Sequence, residues 1–338
     1  MSSRNCLTLL LAAAANSVAL GADPVSYTDP VGFVKLGNTA GGATPAVAAN
    51  TDVSLAVPLE NEMAFSGTVA STTATTITVN GATWTANEWV ADPTIPYCAI
   101  IGSGAENGFR GLISANGTDS LTITATTPGD LTNVSNGDTV RIRKCWTLLS
   151  LFADTDVANN CKVLTFDETE TGVDHASGPL NSFTYFGGQW FDGGFAVSDN
   201  KILYPGELFI FRSSTADIVD LTIFGDVPLA TQRVEIMKDG SGDEDLELAL
   251  SLAVPRLISE LTIPAENNDK LLFVDNDTSG TQKASGPLNS LTYFGGSWFN
   301  GSFADVTNSF VVQPGVGFKL RRHSGSTATP VEWTQAAD

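Results

Sequence analysis

The residues best suited to binding chemistry are four aromatic side chains in a motif that occurs twice. The motif occupies residues 176–196, ASGPLNSFTYFGGQWFDGGFA, and residues 284–304, ASGPLNSLTYFGGSWFNGSFA. Because flat aromatic faces complement the apolar faces of sugar rings, we hypothesise a carbohydrate-binding surface. The alternative is that the rings fill hydrophobic cores, as large aromatic residues usually do. The candidate ligand-binding residues are Tyr185, Trp190, Tyr293 and Trp298.

Polar residues of the same motif suit the same chemistry. Asn181 and Asn289 precede the first aromatic run of each copy, and Asp192 and Asn300 follow the tryptophans; the side chains of all four are expected to hydrogen-bond sugar hydroxyls. Metal and catalytic patterns are weaker. Residues 239–245 alternate like the start of a calcium loop, but Glu244 replaces the required glycine and Leu250 the required glutamate.

Nothing in the sequence assembles a catalytic centre. The two histidines, His175 and His323, occupy different places in the two copies of the repeat. No spacing fixes two carboxylates across a cleft, as a glycosidase requires. We therefore expect no catalytic residues, no metal site and no cofactor.

The repeat predicts the elements that position the aromatic residues. The two copies differ at four of 21 positions and lie 108 residues apart, which indicates duplication. A Gly-Gly pair between two aromatic runs is typical of a tight β-hairpin. Alternation along a strand places Tyr293 and Phe294 on opposite faces, so one face packs on a core and the other is covered by a neighbouring sheet or exposed.

Other segments extend the duplication beyond the motif. The segment 246–261 between the copies is the best helix candidate, but Pro255 interrupts it, and a strand matching residues 53–57 is the alternative. The further matching pairs are Lys162–Asp167 with Lys270–Asp275, Tyr204–Arg212 with Gln313–Arg321, and Ser54–Pro58 with Ser251–Pro255.

Residues 60–145 have a repeat of their own. The apolar-and-Thr alternation at 65–69 and 77–79 returns 44 residues later at 109–113 and 121–123. Period-two alternation indicates strands, and Asn116-Gly117 is a strong turn signal between them. We predict an all-β protein of two duplicated β-sandwich-like modules, with a small antiparallel β-barrel inserted in the first.

The predicted domains follow from these boundaries. Residues 1–21 form a signal peptide, in which Arg4 precedes a short apolar run and cleavage follows Gly21. The remaining units are residues 22–59 with 146–226 (the first module), 60–145 (the barrel) and 227–338 (the second module). No other long apolar segment occurs, so we expect no transmembrane segment in the mature chain and a periplasmic, cell-surface or extracellular location.

The charge balance excludes one class of partner. With 17 basic and 37 acidic residues the formal net charge is −20, which repels nucleic-acid phosphates. Three cysteines follow the signal peptide, and Cys98 and Cys145 both lie in strand-like runs that an oxidising compartment could bridge. The sequence leaves open whether they pair, and Cys161 is the odd one.

Several segments resemble a known family. The segments DPVGFVKL, SLAVPL, YCAIIGSGAENGFRGLISANGTDSLTI and PGVGFKLRRHSGS resemble a family of uncharacterised secreted β-rich proteins known mainly from Verrucomicrobia. The resemblance covers most of the chain after residue 21, rests on turn and strand signatures, and implies no activity or functional residue.

Three functions stay open at this point. Duplication, export and the absence of a catalytic pattern favour a non-enzymatic surface or extracellular protein that acts in structure or adhesion. Exposed edge strands and an odd cysteine leave room for self-association. The alternatives are binding of a cell-surface glycan by the duplicated aromatic hairpins, and a secreted hydrolase.

Overall fold

A computed structural model describes residues 30–37, 45–167, 170–175, 177–283, 285–286 and 289–337, so the predicted signal peptide lies outside the described residues. The chain is all-β, as predicted, and its described residues include one single-turn α-helix, α1 (Leu148–Leu151), and four three-residue 3₁₀ helices. The strands up to residue 226 are β1 (Val31–Lys35), β2 (Asp52–Leu55), β3 (Met63–Thr72), β4 (Thr76–Val79), β5 (Tyr97–Ile101), β6 (Arg110–Asn116), β7 (Ser120–Ala125), β8 (Thr139–Lys144), β9 (Lys162–Leu164), β10 (Ser182–Phe186), β11 (Gln189–Phe191), β12 (Phe209–Arg212) and β13 (Thr222–Asp226).

The second module repeats the sheet of the first. Its strands are β14 (Gln232–Ile236), β15 (Glu244–Ala249), β16 (Arg256–Leu257), β17 (Lys270–Phe273), β18 (Ser290–Phe294), β19 (Ser297–Phe299), β20 (Val311–Val312), β21 (Gly317–Arg322) and β22 (Val331–Gln335). The antiparallel five-stranded sheets have the orders β2-β12-β9-β10-β11 and β15-β21-β17-β18-β19. A two-stranded ribbon accompanies each sheet, β1-β13 in the first module and β14-β22 in the second.

Each module buries one hydrophobic core between its sheet and its ribbon. In the first module Val163, Phe183 and Phe211 of the sheet share a core with Ile223 of the ribbon. The second module has an equivalent core that includes Trp333 of its ribbon. The period-two pattern of the strands therefore has the expected physical cause, which is burial of alternate side chains.

The inserted unit is a closed antiparallel barrel of six strands in the order β3-β4-β7-β6-β5-β8. The two internal repeats seen in the sequence form the hairpins β3-β4 and β6-β7, which pair with each other through β4 and β7. Gly111 permits close packing inside this barrel, because a Cβ at that position would lie 1.9 Å from Cγ2 of Ile123.

The segment between the copies begins as a strand, the alternative that the sequence offered to a short helix, and this strand matches residues 53–56 of the first module. Residues 244–249 form β15, which pairs with β21 at the edge of the second sheet. Strand pairing defines equivalent positions, because Asp52 lies opposite Arg212 and Asp245 lies opposite Arg321. The identical pentapeptides at 54–58 and 251–255 are therefore not equivalent, since the second one follows β15 rather than lying within it.

The equivalent residues form a duplicated ion pair. Arg212 donates from Nε to Oδ1 of Asp52 over 2.6 Å and from Nη2 to Oδ2 over 2.8 Å. Arg321 makes the same two bonds to Asp245, again over 2.6 and 2.8 Å. Both aspartates are buried, so the paired geometry offsets the cost of removing their charges from water.

The same two aspartates join the modules to each other. The backbone N–H of Gln282, from the second module, donates to Asp52 of the first over 2.8 Å. Reciprocally, the N–H of Asp174, from the first module, donates to Asp245 of the second over 2.9 Å. The interface is thus self-complementary, as in a two-fold dimer, and we call these contacts the seam.

A buried charge cluster joins the barrel to the first module. Arg143 of β8 contacts Glu60 over 2.8 Å and Asp226 of β13 over 2.5 Å. Arg110 of β6 contacts the other carboxylate oxygen of Glu60 over 3.2 Å. These contacts fix the barrel against the β1-β13 ribbon.

Candidate functional site

The repeated motif folds as predicted into a two-residue β-hairpin in each module. Tyr185 pairs with Trp190 across β10 and β11, and Tyr293 pairs with Trp298 across β18 and β19. The connecting Gly187 and Gly188 have φ values of 60° and 92°, and the second hairpin has values of 60° and 90°. Positive φ at both central residues is the type I′ geometry, which glycine adopts without steric cost.

The hairpins do not expose the predicted tryptophan surface. Trp190 is 0% exposed and Trp298 is 4% exposed, because each lies on the inner face of its sheet. Tyr185 and Tyr293 are half-buried and pack against these indoles, with ring centroids 5.2 and 5.0 Å apart. In this conformation the tryptophans fill cores, so they cannot stack on a sugar from solvent.

The exposed aromatic side chains of the motif are phenylalanines that the sequence analysis did not select. Phe186 and Phe294 end β10 and β18 at the hairpin turns, and both are 59% exposed. Phe195 and Phe303 lie in the loops after β11 and β19 and are 87% and 90% exposed. We call residues 192–196 and 300–304 the tip loops.

The tip loops have one hydrogen-bonding scheme. The side chain of Asp192 accepts from the N–H groups of Gly194 and Ala196 over 2.8 and 2.9 Å. In the second loop Asn300 accepts from the equivalent residues over 3.0 and 3.1 Å. Asp192 and Asn300 thus shape the loops, and their predicted contacts with sugar hydroxyls stay a prediction. Because an amide oxygen accepts like a carboxylate oxygen, the change from Asp to Asn preserves the loop.

This scheme holds each exposed phenylalanine in an unusual backbone conformation. Phe195 has a φ of 63° and Phe303 a φ of 60°, in the left-handed region. For a bulky residue this region is a steric outlier that the surroundings must impose. The N–H of Phe195 donates to the carbonyl of Asp192 and that of Phe303 to Asn300, over 3.0 and 2.9 Å, so both loops are closed turns.

A further hydrogen bond anchors the first tip loop to the turn before β10. The N–H of Gly193 donates to the carbonyl of Pro179 over 2.9 Å. A Cβ on Gly193 would lie 2.4 Å from that carbonyl oxygen, so the anchoring contact requires glycine. The neighbouring Leu180 is exposed and adds apolar surface beside the loop.

A cleft of about 940 Å³ contains the one histidine–carboxylate pair found among the described residues. His175 Nδ1 lies 3.2 Å from Oε2 of Glu247. Burial raises the pKa of Glu247, although the charges of Lys319 and His175 oppose the rise. His175 follows the first-module segment that contacts β15, so the pair extends the seam, and both side chains are largely removed from solvent.

The outer edges of the five-stranded sheets are occupied, in contrast to the expected exposed edge strands. The carbonyls of Trp190 and Trp298 accept from the N–H groups of Ser198 and Val306, which follow the tip loops, over 2.8 Å in both cases. On the opposite edge of the first sheet, the N–H of Asp52 donates to Gly280 of the second module over 2.9 Å. Strand addition is therefore blocked at these positions.

Comparison of the chain with protein-family models, with curated proteins and with solved structures finds no match. Among the described residues, no three His, Cys, Asp or Glu side chains are grouped so as to hold a metal ion. In the same part of the chain no helix has the length and apolar character needed to span a membrane. The tip loops are thus the strongest candidate site that the geometry offers.

Proposed function

We propose that the protein is an exported, non-enzymatic binding protein that attaches to an extended surface through its two tip loops. The observation that carries this proposal is that Phe195 and Phe303 are almost fully exposed and held at positive φ by equivalent hydrogen bonds. Single exposed apolar residues are ordinary, but here an exposed ring on a strained backbone occurs at the same position of both copies, and strained residues cluster at binding sites.

Rigid presentation favours binding. A phenylalanine on a closed turn loses little conformational freedom when a partner covers it, so more of its apolar contact energy becomes binding energy. The ring also offers a flat face to a sugar or another apolar group.

Duplication of the tip loop favours a repeating partner. Two equal sites on one chain strengthen attachment only when both engage one object, because the second contact then forms at a high effective concentration. A glycan layer offers such repeats, so the proposal retains a carbohydrate surface as partner but moves the contact from the tryptophans to Phe195 and Phe303.

Self-assembly by strand addition is the weaker alternative, because the sheet edges described above are occupied. If copies of the chain associate, the exposed phenylalanines are the more suitable contact. Light scattering at increasing protein concentration measures the association of copies separately from attachment to glycan. It should be carried out on the wild type and on Phe195→Ser and Phe303→Ser.

The test is sedimentation with insoluble chitin, cellulose and peptidoglycan. Wild-type protein should bind at least one of them, and Phe195→Ser and Phe303→Ser should each weaken that binding. Phe33→Ser is the matched control, because Phe33 is also exposed but lies on β1 at ordinary backbone angles. Equal binding by wild type and both tip-loop variants would refute the proposal.

A further inference from the structure

Two of the buried cysteines come together beside the barrel–module junction. Cys98 lies on β5 opposite Arg143 of β8. Cys145 follows the end of β8, and its N–H donates to the carbonyl of Pro96 over 2.8 Å. Because side chains alternate along a strand, Arg143 and Cys145 share the face on which Cys98 lies.

Contacts of the side chains agree with this register. Cys98 and Cys145 belong to one small apolar cluster, together with Ile100 and Ala230. Both also line a small cavity at the junction. By contrast, Cys161 lies in the core of the first module.

The two thiols differ in acidity in the folded chain. Nη1 of Arg110 lies 3.6 Å from Sγ of Cys98. The hydrogen bond from the Cys145 thiol and the charge of Arg110 lower the pKa of Cys98 to about 7, against the effect of burial. The interaction with Cys98 and burial raise the pKa of Cys145, so Cys98 is the more acidic thiol of the pair.

We propose that Cys98 and Cys145 form a disulfide that links β5 to the residue after β8 and so fastens the barrel at its junction with the first module. Both thiols are free in this structure. The proposal is independent of the tip loops. An oxidising compartment, which the expected signal peptide implies, is where such a bond persists.

The oxidant is a small disulfide such as oxidised glutathione. The Cys98 thiolate attacks one glutathione sulfur, and the first glutathione leaves as a thiolate that takes up a proton. Cys145 then loses its proton and attacks Sγ of Cys98, which releases the second glutathione. Two protein thiols are oxidised and one glutathione disulfide is reduced. Because both sulfurs are buried, the exchange takes place during folding.

The test is refolding of the chain from residue 22, which leaves out Cys6, in a glutathione redox buffer, followed by alkylation in denaturant and peptide mapping. We expect a linked pair of peptides containing Cys98 and Cys145, a loss of about 2 Da, and alkylation of Cys161 without prior reduction. Since no Lys or Arg separates Cys145 from Cys161, trypsin leaves both in one peptide, so the assignment needs variants.

Cys161→Ser is the matched control and should keep the link, whereas Cys145→Ser should lose it. The oxidised wild type should also unfold at a higher urea concentration than the same protein reduced, because a cross-link restricts the unfolded chain. Free Cys98 in refolded wild type, or a link from Cys98 to Cys161, would overturn the proposal.

Discussion

Glycine should stabilise the protein relative to alanine at position 303, which reverses the usual order of these two residues. Phe303 has a φ of 60°, and this left-handed conformation costs a residue with a Cβ about 1–2 kcal/mol. Glycine avoids that cost, but its larger loss of backbone entropy on folding costs about 0.5–1 kcal/mol more than that of alanine. The difference favours Phe303→Gly over Phe303→Ala by about 0.5–1 kcal/mol.

The phenylalanine side chain itself should contribute little to stability. It is 90% exposed, so it buries roughly 20 Å² of a surface of about 200 Å², worth about 0.5 kcal/mol. The free energy of unfolding of Phe303→Gly should therefore lie within about 0.5 kcal/mol of that of wild type.

Urea unfolding followed by tryptophan fluorescence measures these differences, because the buried Trp298 of the same module reports on its core. Phe33 provides the matched comparison. It lies on strand β1, where alanine should be at least as stable as glycine. If alanine equals or exceeds glycine at position 303 as well, the inference that the loop imposes strain on this residue is refuted.

Three other changes test the fold around the site. Asp245→Ala should lower the unfolding free energy by about 1.5–3 kcal/mol, because it removes two charge-assisted hydrogen bonds from the guanidinium of Arg321 and leaves it only the ion pair with Asp174; a urea midpoint close to that of wild type would count against the seam. Burial raises the pKa of Glu247 in the folded state, so its contribution to stability is present below its unfolded pKa of about 4.3 and is lost as the pH rises through the folded pKa. The unfolding free energy of Glu247→Gln should thus rise relative to that of wild type as the pH increases from 4 to 7. A difference between the two proteins that stays constant over that range would contradict a raised pKa of Glu247. Gly111→Ala should destabilise the barrel by about 1–3 kcal/mol or more through overlap with Ile123, and a barrel with unaltered amide hydrogen exchange would disprove the close packing.

Local sequence patterns predicted most of the fold. The Gly-Gly pair predicted both hairpins, and the alternation at 65–69 and 109–113 predicted the two hairpins of the barrel. These signals are local because turn geometry and strand period depend on neighbouring residues. The apolar segment around β15 left helix and strand open, since a short apolar run suits a helix and a buried strand equally well.

The site depended on information that the sequence pattern does not contain. Alternation separated Tyr293 from Phe294, but it did not say which face meets the core. The positive φ of Phe303 comes from hydrogen bonds to Asn300, and no glycine marks the position. The seam joins Asp52 to Gln282 across 230 residues, which no periodic pattern reveals.

The measurement that tests the central claim most directly compares binding isotherms of wild type, Phe195→Gly, Phe303→Gly and the double variant on the insoluble glycan that wild type binds best. If both tip loops engage one surface, the two single variants should lose similar affinity, by about 10-fold or more, and the double variant should fall to background. All four proteins should unfold at similar urea concentrations. A double variant that binds like wild type would contradict the account.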